Sequence, residues 1–526
     1  MTTPGTSVPA AQPDTCDILV VGGGINGAGV ARDAAGRGLS VVLCEQGDFA
    51  GATSSASTKL IHGGLRYLEY YEFRLVAEAL REREHLLDIA PHISRPMRFV
   101  MPHVKGLRPR WMIRLGLWLY DHLGGRISLP HSRGVDLRAM GPSGGLRADI
   151  ARGFAYSDAW VDDARLVVLN LLSAQEHGAR ILGRTRLESA DRRDGAWVCA
   201  LRRLSDGAPV TLRARAIVNA AGPWVADVDR MLNPGGGRAH AGVRLVRGSH
   251  IVVPRQYEGE HAYILQNDDR RIVFMIPYEG RYTLIGTTDV PQADMRHGVE
   301  ISAEEEIYLL RAVNAYLARP VAAQDIVWRY SGVRPLFDDE SDNPSAVTRD
   351  YTLVVDDRQG LPCLSVYGGK ITTYRRLAES VLERLAPWVR SGRGSWTAGQ
   401  ALPGGEFARA GRDRVLAELR ARYPGLDPAY LERLFARHGL RSVDVLGEAG
   451  RMADLGRDFG GGLTEREANF FICHEWAQQA QDILWRRTKC GLHMSAAERE
   501  AFGQWFDAAG RRLIHDAGPA AVAAGH

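Results

Sequence analysis

DILVVGGGINGAGVARDAAGRGLSVVLCE, residues 17–45, decides the architecture of the chain. The apolar run Ile18 to Val21 reads as a buried parallel strand, a small-residue helix follows a Gly-rich turn and runs to about Gly36, and LSVVLCE reads as a second strand. Gly22, Gly24 and Gly27 satisfy GxGxxG. That pattern alone is weak, but a strand before it, a helix after it and the acidic Glu45 closing the second strand make it a dinucleotide-binding fingerprint. The backbone from Gly22 through Gly23, Gly24, Ile25 and Asn26 to Gly27 then approaches a pyrophosphate, the helix N-terminus favours its charge, and Glu45 accepts hydrogen bonds from a ribose.

Working outward, SSASTKLIHGGLRYL, residues 54–68, fits neither a clean helix nor a clean strand. In the middle of the chain an apolar strand, Ala216 to Ala220, meets Gly222 and Pro223 in a return to the same sheet. Residues 243–290 carry period-two strands separated by Gly and Asp turns, the pattern of an antiparallel sheet. EEIYLLRAVNAYLA, residues 305–318, is an amphipathic helix, and CLSVYGGKITTYRRLAESVLERL, residues 363–385, is again strand, Gly pair and helix. A Gly and Ser-rich link near residues 391–399 leads into a helical remainder. These recurrences predict an α/β protein whose FAD-binding, Rossmann-like domain is assembled from separated segments (about 16–105, 150–235 and 330–390). An antiparallel-sheet substrate domain (about 106–149 and 236–329) is inserted, and residues 400–526 form a C-terminal helical domain, a candidate surface for homodimerisation. Residues 1–15 read as a disordered leader.

Composition excludes several classes. The chain has 526 residues, 24% charged and 45% hydrophobic, and its 66 basic against 62 acidic residues are too even to argue for nucleic acid. No two of the six cysteines form a CxxC pair or a zinc-ligand cluster, so no metal is expected and a reduced compartment fits. The first basic residue is Arg32, so a signal peptide's positive region is lacking, and no run of about 18 apolar residues is present to span a bilayer. Of the 66 basic residues only Lys59, Lys105, Lys370 and Lys489 are lysines. A Lys that survives in an Arg-writing chain marks a position that wants a compact or shiftable charge, unless it is residual chance.

The segments TSSASTKLIHGGLRYLEYYEFRLV, YSDAWVDDARLV, RGSHIVVP, IGTTDV, YSGVRPL, TRDYTL and VYGGKITTYR, together with the first motif, resemble the FAD-dependent, respiratory glycerol-3-phosphate dehydrogenases. The likeness runs from Asp17 to about Leu385, and LPGG with LWRRTK extends it into the C-terminal region. It implies oxidation of sn-glycerol 3-phosphate to dihydroxyacetone phosphate through FAD, with a membrane quinone as acceptor, in a cytoplasmic protein bound peripherally to the inner face of the membrane. An oxidase of the same substrate that gives its electrons to oxygen is the alternative; it shares the reductive half of the chemistry.

Such a reaction needs a base at the C2 hydroxyl, cations for the phosphate and a field that tolerates a reduced flavin. His250 in RGSHIVVP fits a base or a satisfied core histidine equally by spacing; the resemblance favours the base, and His62 is the competitor. Arg66 and Tyr67, with Arg349, are expected on the substrate phosphate, and Arg334, lodged between Val333 and Pro335, on the C2 hydroxyl or developing carbonyl. The loop residues Thr53, Ser54, Ser55, Ser57, Lys59, Leu60, His62, Gly63 and Gly64 are expected to wrap FAD. Ala220, Gly222 and Trp224 join them, as do Gly368, Gly369, Lys370 and Thr372 at the start of a helix aimed at the flavin, where Lys370 adds a point charge to cofactor or substrate. RPRWMIRLGLWLYDHLG, residues 108–124, reads equally as an interfacial helix or a buried one.

Overall fold

The computed structural model describes residues 14–104, 108–125, 127–234, 242–269, 271–296, 298–337 and 351–514. The leader prediction for residues 1–13 and the substrate-binding prediction for Arg349 lie outside the described residues; Asp14 and Thr15 already belong to the first strand, opposite Leu212 and Arg213.

The first sheet is built on the opening motif. Asp14–Val21 sits between Pro209–Asn219 and Val41–Cys44, parallel to both, and the order continues to Arg180–Leu182 on one side and Cys363–Tyr367 on the other. Ile18, Leu19 and Val20 are fully buried because helices cover one face and the antiparallel hairpin Thr185–Arg193 and Ala196–Arg203 the other. Three helices, Ile25–Gly36, Asp163–Glu176 and Tyr374–Leu385, pack together on the helical face. The register sets Val21 beside Asn219 and Cys44, so the carboxyl ends of three parallel strands open on one crevice.

Among the described residues the second sheet has ten strands, antiparallel except for one parallel pair between Ala262–Gln266 and Ser94–Pro102. Along Val243–Pro254 the side chains alternate: Ile251 and Val253 enter one core beneath the helix Ala303–Asn314, and Val252 enters another beneath Phe73–Ile89 and Arg110–Leu123. The expected domain boundaries need correction here. Ser94–Pro102, Arg152–Val161 and Trp328–Phe337 belong to this second sheet, although the sequence boundaries gave them to the nucleotide-binding segments. Arg152–Val161 is buried along most of its length, so no alternation marks which sheet it joins.

Residues beyond the link fold into helices, among them Arg412–Arg422, Pro428–His438, Glu465–His474 and Ala496–Trp505, around two apolar clusters of their own. Buried ion pairs fasten them to the rest: Arg165 grips Glu475, and Arg487 grips Asp48 through two bonds of 2.8 Å.

Candidate active site

The crevice at the strand ends is a cavity of about 550 Å³. Gly22, Gly24, Ile25, Asn26 and Glu45 line it, as do Thr53 and Ser54 from the loop and Ala220, Gly222, Trp224, Gly368 and Gly369 from the later segments. Two glycines are forced. A Cβ on Gly22, whose φ is +112°, would meet the Ala220 carbonyl at 2.4 Å, and one on Gly27 would lie 1.9 Å from the Gly22 carbonyl. Gly27 therefore acts beneath the cavity, holding the helix against the strand. Glu45 accepts hydrogen bonds from Gly23 N at 2.7 Å and Gly47 N at 2.6 Å, while burial pushes its pKa above the ordinary carboxylate range. Ser54 Oγ accepts from Ile25 N at 2.9 Å, the Thr53 hydroxyl donates to the Val333 carbonyl at 2.6 Å, and Asn26 donates to the Gly368 carbonyl at 3.1 Å. An acid for a ribose, a helix N-terminus for a pyrophosphate and glycines that let strand and helix backbones pack closely beneath them suit a long dinucleotide.

A second cavity, about 210 Å³, shares the strand Trp328–Phe337 with the first: Arg334 lines it and the next residue, Pro335, lines the first. His62, Arg66 and Tyr67 come to it from the loop, and Thr287, Asp289 and Arg334 from the second sheet. Arg334 is ion-paired with Asp289 and approaches the Thr287 hydroxyl at 3.4 Å. Arg66 donates to the Tyr70 hydroxyl at 3.4 Å, and Lys370 Nζ stands 3.8 Å from the centre of the Tyr67 ring. Arg66 and Arg334 thus line one small space from distant segments, with Lys370 over the ring of the lining Tyr67. The remaining wall of this space mixes apolar side chains, among them Met101, Ile264 and Phe274, with the acidic Glu69 and Glu72 and the amide of Gln266.

Other expected residues sit behind the cavities. The Lys59 ammonium is buried in an ion pair with Asp163 at 2.9 Å and also donates to the Ser55 carbonyl at 3.1 Å; burial pushes its pKa down and Asp163 opposes. The Ser57 hydroxyl donates to the same carboxylate at 2.6 Å, and Leu60 points into the core. Gly63 N donates to the Tyr120 hydroxyl at 2.8 Å, which itself donates to Asp158, the partner of the buried Arg83. His62 N donates to Thr372 Oγ1 at 3.3 Å, tying the loop to the helix start. The side chains of Ser57, Lys59, Leu60 and Thr372 shape the loop and line neither cavity.

His250 is also placed differently from the sequence expectation. It is 2% exposed, lines neither cavity, shares a 2.9 Å hydrogen bond between Nε2 and Thr58 Oγ1, and stacks on Tyr330. Burial, then Lys59 and Arg334, push its pKa well below the ordinary histidine value, so the ring is neutral. The strand pattern located it beside the site without telling which side of the sheet it faces. The imidazole that reaches the second cavity is His62.

Sequence reasoning missed the wall that the C-terminal region adds to the first cavity, where Gln479 and Arg486 join Asp48 and Arg184. LWRRTK was visible as a motif, but no local signal ties it to a loop more than 400 residues away. Asp289 was likewise present in IGTTDV without an assigned task.

Residues 17–375 match the family of FAD dependent oxidoreductases, and residues 395–517 match the C-terminal domain of alpha-glycerophosphate oxidase. A glycerol-3-phosphate dehydrogenase of Pseudomonas aeruginosa is 55% identical over 95% of this chain and 96% of its own. A D-erythritol 1-phosphate dehydrogenase of Brucella abortus is 51% identical over 94% of this chain and 99% of its own. The structure of the glycerol-3-phosphate dehydrogenase from Bacillus halodurans complexed with FAD superposes with a TM-score of 0.74 at 26% identity, covering 95% of this chain and 90% of that one. Fold, cradle and matches together define a FAD-dependent oxidoreductase with FAD as its cofactor. Within that class the chain belongs to the glycerol-3-phosphate dehydrogenase family.

Proposed function

We propose that the protein oxidises sn-glycerol 3-phosphate to dihydroxyacetone phosphate in the smaller cavity and delivers the electrons to a membrane quinone. The observation that carries the reading is the convergence of His62, Arg66, Tyr67 and Arg334 on a space of about 210 Å³ beside the dinucleotide cradle. Bound FAD supplies the two-electron acceptor. Arg66 takes the phosphate, where a planar fork matches two oxygens at once. Arg334, held in place by Asp289, orients the C2 oxygen and stabilises the charge it develops. His62 receives the C2 hydroxyl proton, in place of the buried His250. Lys370 stands over the Tyr67 ring and adds positive field.

A lipid-soluble acceptor is favoured by the surface beside this cavity. On the helix Arg110–Leu123, Leu117 and Tyr120 are buried, while Trp111, Met112, Leu115 and Trp118 are exposed, Trp111 to 67%. Tyr70, Tyr71 and Phe73 extend the exposed apolar surface from the loop that also lines the cavity. Exposed tryptophans flanked by Arg108, Arg110 and Arg114 suit the cytoplasmic interface of an anionic membrane. No helix among the described residues is long and apolar enough to cross one.

Anaerobic addition of glycerol 3-phosphate to the yellow holoenzyme should bleach the flavin absorbance. Failure to bleach overturns the proposal, and bleaching by D-erythritol 1-phosphate alone moves the substrate to the four-carbon polyol phosphate. Faster reduction of a quinone analogue than of oxygen supports the acceptor; stoichiometric peroxide refutes it.

A further inference from the structure

A third cavity, about 410 Å³, lies between the C-terminal helices and the second sheet and shares no lining residue with the other two. We propose that it is a binding site for a phosphate-bearing small anion.

Its floor carries two polar side chains with unfilled bonding capacity. Lys489 is 4% exposed; its Nζ makes no hydrogen bond among the described residues, and its ion-pair carboxylate, Asp162, stands 3.7 Å away. His92 is 3% exposed, and neither ring nitrogen has a hydrogen-bond partner. Burial, then Arg165, His438 and Arg412, push its pKa well below the ordinary value, so it is a neutral ring with one N–H to donate. Buried donors are almost always satisfied, and two together on the floor of a cavity point to an acceptor that enters from outside.

The rim supplies matching charge. Arg95, Arg412 and Arg433 line the cavity, and none of their guanidinium groups donates a hydrogen bond among the described residues. Arg95 meets Glu260 only at 3.9 Å and Arg412 meets Asp413 only at 3.8 Å, beyond hydrogen-bond distance. Of the four acids that also line the space, Glu260 pairs with Arg255 at 2.9 Å, Glu432 with Arg420 at 3.0 Å, Asp162 accepts from Arg165 N at 3.1 Å, and Glu279 meets His493 at 3.7 Å. Three planar forks around a buried ammonium and an imidazole N–H offer more donors than the two oxygens of a carboxylate use. The three terminal oxygens of a phosphate ester fit them, the forks binding in pairs and Lys489 as a point charge. The space is also larger than a phosphate group alone needs, which leaves room for the organic part of the ligand. Lys489 is one of only four lysines in the chain, so the cavity floor keeps a compact charge where the rest of the sequence writes Arg.

The test is calorimetric titration of the FAD-loaded, full-length protein with inorganic pyrophosphate. Binding is expected in the unaltered protein and in Arg334→Ala, which disables the substrate cavity. It should weaken roughly tenfold or more in Lys489→Met, the loss typical of a charged hydrogen bond. Arg412→Gln/Arg433→Gln, which alters the rim and leaves the buried floor in place, should weaken it similarly and serves if Lys489→Met does not fold. Absence of binding, binding unchanged in the rim variant, or binding abolished by Arg334→Ala overturns the proposal.

Discussion

Replacing Asp48 with Ala tests whether the C-terminal helical region is a working part of the cofactor cradle. Asp48 lines the first cavity and is 8% exposed; Arg487, with a fully buried side chain, donates to both of its oxygens at 2.8 Å and to the Glu475 carbonyl at 3.0 and 2.7 Å. Arg486 is ion-paired with the same carboxylate and with Asp482 at 2.5 Å. Removing the carboxylate leaves Arg487 charged and buried without its counter-ion, a change that costs about 3–5 kcal/mol. At about 1.4 kcal/mol per tenfold, that is more than a hundredfold in the folded ratio of this part of the molecule. Urea unfolding of the holoenzyme, followed by tryptophan emission and by flavin release, should show both transitions at lower denaturant. Arg487→Met should be similarly damaging, and the double variant should cost much less than the sum of the two. The pH dependence has a definite sign. Burial raises the Asp48 pKa, but Arg487 and Arg486 more than offset it, so the folded value lies below the ordinary one. The pair therefore stabilises above the unfolded carboxyl pKa of about 3.9, and the difference between the natural protein and Asp48→Ala should shrink as pH falls below that value. A loss under about 1 kcal/mol with flavin release unchanged, or a strictly additive cycle, would refute the reasoning.

Gly27→Ala should yield protein without bound FAD, measured as the flavin-to-protein absorbance ratio, because its Cβ would collide with the Gly22 carbonyl at 1.9 Å. His62→Asn should lower kcat by about 10²–10⁴-fold with FAD retained, as expected for loss of a general base; a smaller drop than in His250→Asn would return the base to His250. Tyr120→Phe leaves Gly63 N and Asp158 without the hydroxyl between them and should destabilise the protein by about 1–3 kcal/mol in urea unfolding. Trp111→Ser/Trp118→Ser should reduce co-sedimentation with anionic liposomes and leave flavin bleaching by substrate intact; equal sedimentation would move the membrane contact elsewhere.

The nucleotide-binding strand, its glycines and Glu45 were legible in sequence because phosphate recognition there is local: turn, helix start and acid fall within 29 residues. The three-segment assembly was legible for the same reason, each segment announcing itself by an apolar strand and a Gly-rich turn. Membership of the second sheet was not, since buried strands such as Arg152–Val161 carry no alternation. Arg66, Tyr67 and Arg334 line one cavity, while His250 and Lys59 are buried and line neither. In both cases residue type and strand position were informative, but the facing direction was set by tertiary pairing: Gly286 opposite His250, and Asp163 beneath Lys59. The rarity of lysine marked Lys59 and Lys489 as positions for a compact or shiftable charge without telling that both are buried.

The Tyr120 hydroxyl joins two parts of the chain that inheritance would otherwise treat separately. The outer face of its helix, with Trp111, Leu115 and Trp118, tolerates exchange of one bulky apolar residue for another, because each is more than half exposed. The inner face is tied through Tyr120 to Gly63 in the cofactor loop and through Asp158 to Arg83. A lineage adapting this helix to a different surface can rewrite one side freely, but must pass on Tyr120, Asp158 and Arg83 as a unit, or change the loop with them.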